Sequence, residues 1–97
     1  MKDNEVIVVF RKTKENDIIA FMPNVHVNYG MIASYMHIGQ HSESSIKFYW
    51  NTKRAMVEEY EELYKEMKQI YETGNEPLKL IVKQKINYNM LREAWKE

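Results

Sequence analysis

The chain has 97 residues, 44% of them apolar and 29% charged, a balance that suits one folded domain and is too rich in aromatics for a disordered segment. It contains no cysteine, which excludes disulfide frameworks, thiolate zinc sites and cysteine nucleophiles. Fourteen basic and fourteen acidic side chains cancel, so no net field steers the molecule toward nucleic acid or an anionic membrane.

Met1 to Glu5 is followed by only five apolar residues, too few for a signal-peptide core or a membrane span, and a cytoplasmic chain with no membrane association is expected. Those five residues, Val6-Ile7-Val8-Val9-Phe10, are mostly β-branched and unbroken, which predicts a central strand continuing through Arg11 to Thr13. Lys14 to Asp17 offers a tight turn with Asn16 in the left-handed region, and Ile18 to Met22 returns as the second strand. Pro23 ends it, having no amide hydrogen to give a ladder. Asn24 to Gly30 is expected as a loop in which Val25-His26-Val27 alternates like a short edge piece.

Met31 to Ile38 predicts a third strand, with Ile32, Ser34, Met36 and Ile38 on one face and Met31, Ala33, Tyr35 and His37 on the other. If the Ile32 face meets the core, Tyr35 and His37 look outward. Gly39 then turns the backbone, and Gln40 to Ser45 reads as a polar connection holding helix caps. Phe48, Tyr49 and Trp50 favour a strand by composition, yet the serines before them favour a helical turn, and Ile46 to Asn51 is read as a short helix.

From Val57 the pattern is helical: Val57, Tyr60, Leu63, Tyr64, Met67, Ile70 and Tyr71 recur at three- and four-residue intervals, and Gly74 with Pro77 ends the run. Leu78 to Ile86 predicts a fourth strand, with Leu78, Leu80, Val82 and Ile86 on one face and Lys79, Ile81, Lys83 and Lys85 on a basic other. Asn87 caps a final stripe of Tyr88, Met90, Leu91, Ala94 and Trp95, too short to be stable unless it docks on the domain or a partner. The sum is a single α+β domain over 1–97: two layers, with a four-stranded antiparallel sheet from 5–13, 17–23, 31–38 and 78–86 under a main helix at 57–73. The short C-terminal helix packs at an edge or mediates a homodimer. Charge is uneven, with seven glutamates and two lysines from Val57 to Glu76 but five basic groups and Glu93 alone from Lys79 to Lys96.

Polar chemistry gathers in Ser34-Tyr35-Met36-His37-Ile38-Gly39-Gln40-His41-Ser42, which holds two of the three histidines. His37 and His41 are the candidate metal ligands, with Glu43 and His26 as further donors, but Gly39 and the strand pattern argue against the helix that would aim both rings at one ion. No metal and no cofactor are therefore expected. A hydrolytic site on Ser34, Ser42, Ser44 or Ser45 with either histidine as base has only Glu43 nearby as orienting carboxylate, and there is no nucleophile elbow or phosphate loop. No catalytic residue is assigned.

The series Val9-Phe10-Arg11-Lys12, Asp17-Ile18-Ile19-Ala20, Pro23, Ser34 to His41, Glu58-Glu59-Tyr60 and Leu78-Lys79 resembles small uncharacterised proteins of bacteriophages and bacterial mobile elements. The similarity spans about residues 9 to 80, and His37-Ile38-Gly39-Gln40-His41 is its most specific part. The resemblance implies a mobile-element accessory protein of one α+β domain and brings no activity. Asn16 stands where those sequences have a glycine, and Met56 where they have a threonine that caps the helix.

Two binding readings remain. Seven methionines and twelve aromatics supply adaptable and anchoring contact groups, with Met22, Met31 and Met36 as a partly exposed set. With the resemblance, they point to a protein partner such as a host defence component. The alternative is single-stranded nucleic acid on a sheet face carrying Tyr35, His37, Lys79, Lys83 and Lys85, with Gln40 and His41 as neighbouring contacts. Strand lysines that simply solvate a sheet face are the plainer account of that basic row.

Overall fold

The computed structural model describes residues 4–36, 40–73 and 77–95. Its elements are β1 (Glu5–Lys12), β2 (Ile18–Met22), β3 (Met31–Met36), β4 (Gln40–Ser45), α1 (Ile46–Trp50), β5 (Lys53–Arg54), α2 (Val57–Tyr71), β6 (Lys79–Lys83) and α3 (Tyr88–Ala94). This is an α+β fold on a six-stranded sheet in the order β4-β3-β2-β1-β5, with β6 also pairing β1.

Strands β1 to β4 form an antiparallel meander built from local turns. The first is closed by the Thr13 amide donating to Asp17 O at 2.8 Å and the Asp17 amide donating to Thr13 Oγ1 at 3.1 Å. Asn16 takes φ 68° there, the left-handed conformation expected of it. Where Pro23 ends β2, the Asn24 side chain continues the pairing: its Oδ1 accepts from the Ile7 amide at 2.8 Å and its Nδ2 donates to Glu5 O at 3.0 Å. A side-chain amide thus satisfies backbone groups that a longer β2 would have paired.

Where the sequence predicts four strands, the described residues form six. Gln40–Ser45 is a strand and not a connection, pairing β3 from Met36↔Gln40 to Met31↔Ser45. It lies at the sheet edge, where little apolar surface is buried, so its sequence carries no hydrophobic alternation to read. Lys53–Arg54 adds two residues opposite Arg11 and Lys12. The fourth predicted strand is shorter, Lys79–Lys83, and runs parallel to β1 in the register Val6↔Leu80 and Val8↔Val82. The helical crossover α2 permits that direction, which a tight turn would not.

Helices lie on both sheet faces. Val6, Val8, Phe10, Ala20, Met22, Ala33, Tyr35 and Leu80 pack with Leu63 and Met67 of α2. Val9, Ile19, Phe21 and Ile32, alternating with them, pack with Tyr49 of α1 and Leu91 of α3. The C-terminal helix therefore docks on a sheet face and not at an edge. Of the expected methionine set, Met22 is buried in the core while Met31 and Met36 are half-buried and so partly exposed.

Candidate functional site

Sheet register assembles the polar stretch in an unexpected way. Phe10, Ala20, Tyr35 and His41 form one row across four strands, all on the α2 face. Tyr35 is fully buried and does not look out from the sheet. Its hydroxyl donates to the Glu66 carboxylate on α2, and its ring meets the His41 imidazole edge-on at 4.6 Å. His41 Nε2 lies 2.7 Å from the Tyr71 hydroxyl, in the last turn of α2. Burial raises the Tyr71 pKa above its ordinary value. Tyr35, His41 and Tyr71 therefore latch the second half of α2 onto the sheet.

The three serines face the other way. Ser34, itself buried, has its hydroxyl 3.0 Å from Ser42 Oγ and 3.0 Å from Ser44 Oγ, on the face shared with Ile32. The sheet stands between these hydroxyls and His41, so the hydrolytic arrangement of Ser34, Ser42 or Ser44 with His41 is not assembled. Glu43, its nearest carboxylate, accepts from the Asn28 amide at 2.8 Å and Nδ2 at 3.0 Å. His37 lies outside the described residues, as does the Gln40 side chain. Among the described residues no three His, Asp or Glu side chains are grouped to hold a metal ion.

The basic row fares no better as a platform with Tyr35. Leu80 packs toward α2, so by strand alternation Lys79 and Lys83 belong to the opposite face from Tyr35, and Lys85 lies beyond the end of β6. Among the described residues, the expected pairing of Tyr35 with Lys79, Lys83 and Lys85 does not exist.

A different feature sits where α2 begins. Phe10, Ala55, Met56, Val57, Tyr60 and Val82 line a dimple of about 100 Å³ together with Arg54, Lys83 and Gln84. Its floor is rigid, because Phe10 and Tyr60 stack at 4.3 Å with 6° between their planes. The helix start is polar on one side only: the Glu59 carboxylate accepts from the Met56 amide at 2.9 Å and from Lys12 Nζ at 2.5 Å. The Lys12 bond, then the Met56 bond, hold the Glu59 carboxyl below the usual glutamate range. Met56 has no side-chain oxygen to act as a cap and makes no side-chain cap hydrogen bond, while the Glu59 carboxylate on the Met56 amide supplies the other side of a capping box. Sequence periodicity placed Val57 on the apolar stripe of α2 and so hid this site; Met56 showed only as a departure from the sequences the chain resembles.

Comparison with known proteins finds no matching family model, no matching curated protein and no matching solved structure. No helix among the described residues is long and apolar enough to cross a membrane.

Proposed function

We propose that this chain acts by binding a protein partner, without catalysis, through the dimple at the start of α2. The observation that carries this reading is Met56. An N-cap favours Ser, Thr, Asp or Asn, each able to accept from a first-turn amide and worth about 0.5–2 kcal/mol over a residue that cannot. Met56 makes no such bond and is 54% exposed, so it gains little from packing either. Val57 and Val82 beside it are 59% and 37% exposed. A local preference broken without compensating burial marks a surface shaped by something other than folding. A dimple of this size, rimmed by a methionine that can change rotamer, suits one anchoring side chain of a partner.

The resemblance to mobile-element proteins supports a host defence component as that partner and the cytoplasm as the compartment. A homodimer through α3 has less support, because Leu91 and Ala94 are already buried within the domain. The test is capture from a host-cell lysate with the purified full chain as bait, followed by direct binding of the purified candidate. One specific partner that binds directly is expected; a bait that retains nothing beyond an unrelated control domain contradicts the reading.

A further inference from the structure

Across the sheet from that dimple, three aromatic rings and one arginine line a second opening. Tyr29, Tyr88, Arg92 and Trp95 enclose a cleft of about 260 Å³ between the loop entering β3 and the two ends of α3. Tyr29 and Trp95 lie 4.9 Å apart with 49° between their rings, and Tyr88 meets Trp95 edge-on at 6.2 Å. Tyr29 is 84% exposed and Tyr88 63%, the highest and third-highest values among the large exposed apolar side chains.

The Trp95 ring is held in place behind the two exposed tyrosines. The Trp95 indole donates to Met31 O at 2.8 Å and its backbone amide to Leu91 O at 3.0 Å, which fixes the wall they share. Gly30, at φ 83°, supplies the left-handed step by which the chain passes from Tyr29 into β3. Asn87 caps the turn that presents Tyr88, its side chain accepting from the Asn89 amide at 2.8 Å.

Charge selects the ligand. Among the described residues no carboxylate lines the cleft and Arg92 makes no ion pair. Glu43, which accepts from Asn28 beside Tyr29, is not among the residues that line the cleft. A cationic guest would meet the Arg92 guanidinium, which disfavours the use of these rings as an ammonium cage. A planar ring carrying a negative group fits both features. We infer that the Tyr29–Tyr88–Trp95 cleft binds a nucleobase, stacked on an exposed ring, with its phosphate on Arg92. A free mononucleotide and one unit of a single strand offer this same chemistry.

The site is separate from the protein-binding dimple, and its test uses different variants. Adenosine monophosphate, adenosine and a short oligoadenylate are titrated into the full chain, with binding read from the ring-proton shifts of Tyr29, Tyr88 and Trp95. Saturable shifts with the monophosphate are expected. Tyr29→Ala, at an exposed position, weakens binding by roughly five- to a hundredfold, the range of one lost base stack. Arg92→Gln weakens the monophosphate by up to about fivefold while leaving adenosine unchanged, as an exposed charge contact predicts. An oligomer that binds more tightly, and loses that advantage in salt, identifies a single strand as the source; equal affinities identify the free nucleotide. Absence of shifts with all three overturns the inference, as do shifts that survive Tyr29→Ala unchanged. Loss of a captured protein partner in Tyr29→Ala, with no nucleotide response, reassigns the cleft to protein contact and also overturns it.

Discussion

On one side of the sheet a single helix of 15 residues covers the row that includes Val8, Phe10 and Tyr35; on the other, helices of five and seven residues cover Val9, Phe21 and Ile32. The long helix closes its face by repetition, placing Leu63 and Met67 one turn apart against the sheet and stacking Tyr60 on Phe10. Helices as short as α1 and α3 are unstable alone, so each is fastened by particular groups. Ser45 caps α1, its Oγ accepting from the Phe48 amide at 3.0 Å, and the Tyr49 hydroxyl accepts from the Ile86 amide at 3.2 Å. Arg11 adds a guanidinium over the Tyr49 ring at 4.9 Å and donates from Nε to Thr52 Oγ1 at 2.9 Å. A face fastened in this piecemeal way buries some aromatics and leaves others outside, which is why the nucleobase cleft lies there.

The sharpest way to break this contrast is to cut one anchor on each face. Met67→Ala removes a fully buried side chain under α2 and is expected to cost about 2–5 kcal/mol in urea unfolding. Leu91→Ala is expected to free α3 alone, so that amide exchange accelerates across Tyr88–Ala94 while amides of β1, β2 and β3 stay protected. If Leu91→Ala instead lowers protection everywhere as much as Met67→Ala does, the two faces unfold as one unit and the contrast is wrong.

A smaller effect sharpens the description of the α2 face. Burial holds the Tyr71 pKa above its ordinary 10.0, so the fold favours the protonated phenol. That contribution is fully present below the unfolded value and is lost as pH rises through the folded one. Tyr71→Phe loses the bond to His41, a cost of about 0.5–1.5 kcal/mol. The wild-type advantage over this variant is then expected to shrink in alkaline solution, measured by urea unfolding along a pH series. A constant difference through the alkaline range would show that the hydroxyl is not buried as described.

Much of the architecture was legible because apolar periodicity reports it. The β1, β2, β3 and α2 segments bury alternating or three- and four-spaced side chains, and the Asn87 cap follows from backbone chemistry at a helix end. What stayed hidden has equally physical causes. Strand β4 is a polar edge held by backbone pairing and serine hydroxyls, which leave no hydrophobic signature. The parallel direction of β6 depends on where α2 delivers the chain, not on the residues of Lys79–Lys83 themselves. Alternation correctly put Tyr35 and Ile32 on opposite faces, but it could not reveal that both faces are covered, and so Tyr35 was expected outside. For the same reason its grouping with Lys79 and Lys83 failed, and the dimple at Met56 was hidden by a helical stripe that begins one residue later.

Met56→Thr separates a rim at the start of α2 that serves a partner from one that serves the fold. Threonine supplies the missing cap, so urea unfolding should show a gain of about 0.5–2 kcal/mol, while capture of the partner from lysate falls because the methionine contact is gone. A variant that is more stable and captures the same partner undiminished would contradict the assignment of this surface to binding.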